Sequence, residues 1–372
     1  MKRMHVIVLM AAFSLSTTFS AYGWDLPLNI EVSTISFNYT SGGSSDGINI
    51  KLNSSNPVED PEWNNGGQTN NKFAYLKSTS YAGPDVRVVF YSQESGIDSV
   101  AISPLPCGLL WWNMSEPKVT FNNGYSESIN FETSQGTLPN EVCLIDTDWL
   151  WKVTKINGVQ QSPSISIGSS SHSGYVILSD PVPSSSEPWV DVLEKACQWA
   201  SGATTESSVA SGIIDGIYND FALPNGKLSY NVSTAYGDSS SFNLSSFISY
   251  INNQNIDTVY VNCTDAANLF RKYSNWLGCS SQTKKIMEAE VDGYLDTYPI
   301  DPIGDIRSWQ TAQWFYHQFG WLNNLIFDGS LRLNQGSPIL PTNMSQGTYL
   351  DYFLNPRQQS FTESVISSFT IY

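Results

Sequence analysis

The chain has 372 residues, 41% of them apolar and 13% aromatic, which excludes a disordered protein and allows large cores in more than one domain. Lys plus Arg number 18 against 34 Asp plus Glu, a formal net charge of −16. That balance repels phosphate backbones and anionic headgroups, so no nucleic-acid partner is expected.

Lys2 and Arg3 form a basic start, Val6 to Leu15 an apolar stretch too short to span a bilayer, and Ala21-Tyr22-Gly23 a small-x-small cleavage site. Residues 1–23 therefore read as a signal peptide, and a mature secreted or periplasmic chain is predicted to begin at Trp24. No later segment is long and apolar enough for a transmembrane helix, so membrane insertion is not expected.

Residues 24–180 read as short β runs broken by Gly, Asn, Ser and Pro, such as Val86-Arg87-Val88-Val89-Phe90-Tyr91 and Ser164-Ile165-Ser166-Ile167. The pattern predicts an N-terminal β-sandwich (Ig-like), with Trp111, Trp112, Trp149 and Trp151 as core. Asn53 to Asn71 reads as a loop without a strand of its own, and His172 as part of a polar Ser/Gly loop. Residues 181–188, with Pro181, Pro183 and Pro188, read as a linker.

Over 189–372 the texture changes to helical periodicity, an α+β domain with helices packed on an antiparallel sheet. Trp189, Val192, Leu193, Ala196 and Trp199 follow a 3.6-residue period, Val209, Ile213, Ile214 and Ile217 a second, and Phe247, Ile248 and Ile251 a short third. A fourth helix begins at Cys263, with Asn262 as N-cap, Asp265 as the third helical residue of a capping box, and Gly278 just past the end. Gln313–Trp321 and Leu325–Leu333 then read as two strands around an Asn323-Asn324 hairpin turn. With Leu322 opposite Leu325, Phe319 faces Asp328 and His317 faces Ser330. His317 and Asp328 thus share one face as diagonal neighbours.

A thiol on the first turn of a helix meets unpaired N–H groups and the positive end of the macrodipole, which favour the reactive thiolate. A cysteine nucleophile also needs a base, and the base an orienting acceptor. Cys263, His317 and Asp328 supply these roles in chain order. Five cysteines cannot all pair within one chain. Cys107 with Cys143 is the simplest first pair, and Cys197 with Cys279 the second. Cys263 with Cys279 is disfavoured, because a helix of fifteen or so residues separates its ends by about 22 Å and a disulfide needs Cα atoms within about 7 Å. An aromatic strand is also where a purely structural histidine sits, and Asp-Gly is also a turn signal; it is their convergence with a helix-start thiol that points to chemistry.

Val261-Asn262-Cys263-Thr264-Asp265-Ala266-Ala267, Phe315-Tyr316-His317-Gln318-Phe319-Gly320-Trp321 and Phe327-Asp328-Gly329-Ser330-Leu331 resemble the motifs of the transglutaminase-like superfamily, with its papain-like core. The resemblance covers about Trp189 to Leu354. It implies that Cys263 attacks a glutamine side-chain amide or a peptide carbonyl to form a thioester, resolved by an amine or water, with His317 as base and then acid and Asp328 holding the imidazole. The partner would be a protein or peptide substrate. The backbone N–H of Cys263 would be one oxyanion donor; Asn262 and Tyr260 are the nearby residues considered for a second, a place often held by Gln in the family. The alternative is a catalytically silent secreted or surface binding protein that keeps the fold. No cofactor is called for, and no Cys-x-x-Cys pair or histidine cluster predicts a metal site.

Overall fold

A computed structural model describes residues 28–37, 47–66, 71–77, 86–108, 113–135, 138–184, 186–233, 236–238, 240–289, 293–305, 307–355, 360–367 and 370–371. The predicted signal peptide and the Trp111-Trp112 pair lie outside them. The described chain is mixed α+β, with its strands concentrated before Leu178 and its helices after it.

Alternation of apolar and polar residues builds the first half. Val86–Ser92 buries every second side chain along its whole length, the period-2 signature of a strand with one face on a core. Ten strands join in one sheet, running from Trp63–Asn64 through Ile30–Ser36, Val86–Ser92, Tyr125–Ser126, Lys118–Asn122, Ser99–Gly108, Cys143–Ile156 and Val159–Ile177 to Phe73–Leu76, with Ile129–Phe131 also paired to Val86–Ser92. Phe90 meets Trp151 edge-on at 5.7 Å between ring centroids, although three strands separate them in the sheet order. The sheet must therefore curl back on itself, and it encloses Val32, Ile35, Val88, Phe90, Trp149 and Trp151.

Two expectations for this region are corrected. The predicted loop between Asn53 and Asn71 contains a short strand, Trp63–Asn64, paired with Thr34 and Ile35. His172 lies not in a loop but in the strand Val159–Ile177, opposite Thr147. The serines around it misled because, in an edge-facing stretch, alternate positions face solvent, while Ser170 and His172 face inward.

The described part of the connector, 181–184 and 186–188, is tied down: Val182 N–H donates to the Asn275 carbonyl, and Glu187 pairs with Lys51 at 2.9 Å. Ala74, Tyr175 and Ile177 of the curled sheet share one core with Leu193 and Ala196 beyond this connector.

The second half holds α1 (Val190–Trp199), α2 (Glu206–Asp215), α3 (Leu244–Asn252), α4 (Cys263–Trp276) and α5 (Gln346–Phe353). α2 runs on into one π-helical turn, Gly216–Asp220. A five-stranded antiparallel sheet has the order Met344–Ser345, Leu325–Phe327, Tyr316–Leu322, Gln282–Glu288, Phe361–Ile366. α4 lies against it, and all fourteen of its residues are buried. The contact with the sheet requires Gly320: a Cβ there would fall 2.1 Å from the Phe270 ring of α4. Phe270 in turn stacks on Phe327 at 5.4 Å.

Candidate active site

α4 starts where the sequence places it. Asn262 is extended and its side chain accepts from Asp265 N–H at 3.0 Å, while the Asp265 carboxylate accepts from Asn262 N–H at 3.1 Å, the reciprocal capping box. A cap of this kind stabilises a helix by about 1 kcal/mol and fixes which residue is first. That residue is Cys263, 4% exposed and unpaired. Gly278, at φ +96°, closes the other end.

His317 comes from the strand Tyr316–Leu322, against which α4 packs. The hairpin turn forms at Asn323-Asn324, both at positive φ, with Leu322 opposite Leu325 and Gly320 opposite Phe327 as predicted. The ladder then ends one residue short of Asp328, whose N–H donates instead to the Pro341 carbonyl. The departure swings Asp328 under His317, and Nε2 and Oδ2 lie 2.8 Å apart. The predicted first strand is also broken: Gln313–Trp314 pairs with Leu295–Asp296, and Phe315 is 61% exposed rather than on the His317 face.

Asp328 takes four donors. Tyr349 of α5 donates its hydroxyl to Oδ2 at 2.7 Å, and Ser330 donates both N–H and hydroxyl to Oδ1, at 2.9 and 2.6 Å. Burial pushes this carboxyl up, but His317 and Ser330 outweigh it and hold the pKa below the ordinary value. For His317, burial opposes the charged ring; the Asp328 charge and hydrogen bond, aided by Cys263, outweigh that and raise it to about 9. Nδ1 is buried and makes no hydrogen bond of standard geometry, so the nitrogen left over is the one available to the Cys263 thiol. Phe353 stacks on the ring at 4.8 Å and Trp314 meets its edge at 5.1 Å, which fixes its plane.

Tyr230 was not expected here. The strand Leu228–Tyr230 runs parallel to Val259–Val261 and sets Tyr230 opposite Val261, two residues before the thiol. The phenol is 8% exposed and packed edge-on to Trp309 and Trp314. Its pKa is pushed well above the usual value by burial and then by the Cys263 thiol, with the nearby Cys263 N–H pulling the other way. The same strand alternation sends Tyr260 outward, 46% exposed. Asn262 spends its side-chain oxygen on the helix cap. Asp265 faces away from the thiol, accepting from Tyr236 N–H at 2.8 Å; burial lifts it to about 7 against those backbone donors. At the rim, Tyr316 exchanges a hydrogen bond with Thr264 at 3.0 Å.

The remaining cysteines do not pair as predicted. Cys107 stands opposite Asp148, five residues along the strand from Cys143, a separation of about 17 Å that no disulfide spans. Cys197 and Cys279 are free and buried, one against the Val176 carbonyl and the other against that of Glu206. Cys197 instead shares a cavity lining with Cys143.

Among the described residues no three His, Cys, Asp or Glu side chains converge as a metal site, and no helix is long and apolar enough to cross a membrane. Compared with known protein families and with curated proteins, the chain matches none.

Proposed function

We propose that the chain is a secreted cysteine enzyme of transglutaminase-like type that performs amide acyl transfer or hydrolysis, with a papain-like second half and the curled sheet as an Ig-like sandwich module that presents or positions it. The observation that carries this reading is the 2.8 Å bond between His317 Nε2 and Asp328, which leaves buried Nδ1 for a helix-start thiol.

The chemistry follows from those atoms. The Cys263 proton passes to His317 Nδ1, and the sulfur attacks the amide carbon of a glutamine side chain or peptide bond. The new C–S bond pushes charge onto oxygen, which the Cys263 N–H and the Tyr230 hydroxyl are positioned to receive. Collapse breaks the C–N bond, and the amine leaves with the proton from His317. An incoming amine or water then gives its proton to His317, attacks the thioester and releases the thiol. Asp328 keeps the imidazolium favourable throughout.

A second reading, a catalytically silent binding protein, draws on the resting geometry: Cys263 is 4% exposed, and the phenol of Tyr230, itself only 8% exposed, lies beside it. Incubation with a biotinylated primary amine and a glutamine-rich protein separates the two. Amine incorporation or ammonia release that disappears in Cys263→Ala supports the enzyme, with a rate that falls as pH rises through about 9 and the imidazolium is lost. The absence of both products, together with ordinary slow alkylation of Cys263, supports the silent protein.

A further inference from the structure

α4 is buried on all sides, so each of its polar side chains needs a partner. Asp265 and Asn268 bond to backbone of the 236–238 segment, Ser274 to the Phe270 carbonyl, and Asn275 to the Ser281 carbonyl. Arg271 donates to the carbonyls of Ile366 and Ser367. Among the described residues the Tyr273 hydroxyl and Asn268 Oδ1 are buried without a hydrogen bond, but they carry no charge; Lys272 does. It is 3% exposed, yet its ammonium meets only the Ser186 hydroxyl at 3.2 Å and the face of Trp276 at 3.7 Å, and among the described residues no carboxylate pairs with it.

The ammonium borders a cavity of about 610 Å³ between the connector, α4 and the C-terminal segment, lined by Ser186, Arg271, Lys272, Asn275, Ser281 and Thr370 among others. Its described lining holds two cations and no carboxylate, in a chain whose net charge is −16. A buried ammonium without a counter-charge is costly, and a cavity that collects positive charge against the trend of the chain offers a place for that counter-charge to bind. Arg271 has its planar fork engaged by two carbonyls, so the free recognition element is the point charge of Lys272 with surrounding hydroxyls. That set suits a tetrahedral oxyanion better than a planar carboxylate.

We propose that this cavity is a binding site for a phosphate or sulfate group, held by Lys272 with Ser186 and favoured by the neighbouring positive charge of Arg271. It lies nine residues along α4 from Cys263, about 13 Å, and does not depend on the acyl-transfer reading. Burial, then Arg271, lowers Lys272 to about 6; the other elements around it bring hydroxyls, amides and carbonyls rather than further charges. Binding an anion therefore takes up a proton, and affinity falls as pH rises above 6.

Calorimetric titration of the full chain with sodium phosphate and sodium sulfate, at constant ionic strength, tests the site. Saturable binding is expected, with proton uptake revealed by buffers of different ionisation enthalpy, at least tenfold weaker in Lys272→Met and retained in Lys272→Arg. A sulfated oligosaccharide binding tenfold tighter than sulfate would mean the group belongs to a larger molecule; equal affinity would mean the free ion. No saturable binding, binding without proton uptake by the unmodified protein, or binding unchanged by Lys272→Met overturns the proposal.

Discussion

Two buried histidines sit in the two halves of the molecule, and their environments drive them in opposite directions. His172 lies among Phe37, Trp63 and Trp149 in the curled sheet, with Ser170 as its one hydrogen-bond partner among the described residues, and burial lowers it to about 3. His317 is more deeply buried, yet Asp328 holds it near 9. Depth alone thus makes a histidine a neutral core residue; a fixed carboxylate on one ring nitrogen turns equal depth into a stored charge with the other nitrogen to spare.

The largest expected break in this contrast is chemical. His317→Gln should lower the proposed acyl transfer by about 10³-fold or more, measured as amine incorporation, whereas His172→Phe should leave the rate within about twofold. Next comes stability: Asp328→Ala leaves a buried ring without its counter-charge and should cost about 3–5 kcal/mol in denaturant unfolding. A midpoint close to that of the unmodified protein would show that the pair contributes little.

The pH dependence sharpens the comparison, because the two rings tilt it in opposite senses. For His317 the folded value near 9 exceeds the ordinary 6.5, so its contribution is complete below about pH 6.5 and is lost as pH rises through 9, on the order of 3 kcal/mol. For His172 the folded value near 3 lies below 6.5, so stability is lost on acidification from about pH 6.5 towards 3, as the unfolded ring gains a proton the native one refuses. NMR titration of the two imidazoles checks both: coincident midpoints near 6.5 would erase the distinction. The smallest effect expected is that of His172→Phe on stability, within about 1.5 kcal/mol, because a neutral ring in an aromatic cluster is exchanged for another.

What the sequence disclosed was mostly local. Asn262, Asp265 and Gly278 mark both ends of α4 through hydrogen bonds three or four residues long, and Asn323-Asn324 marks a turn whose register brings His317 towards Asp328. What stayed hidden depends on distant partners. Tyr230 reaches the thiol only through a parallel pairing with Val259–Val261, for which its own short run gives no register. His317 also pairs across to Ile286 on a strand that the sequence reading did not assign. α5 brings Tyr349 to Asp328, and its signals were modest: Ser345 as a cap, then Tyr349, Leu350 and Phe353 on one buried side. Strand alternation, applied to Ser170 and His172, would have moved that histidine from loop to core. The cysteine pairings failed because counting residues says nothing of how far a ladder slides one strand along another.

Gly320 joins the two elements that carry the thiol and the imidazole, since α4 bears Cys263 and the strand at Gly320 bears His317. The gap between them is therefore gauged by a methyl group that is not there. Gly320→Ala changes no charge and no hydrogen-bonding side chain, yet it would act as a shim, pressing on Phe270 and the helix behind it and widening the gap between the thiol and the imidazole.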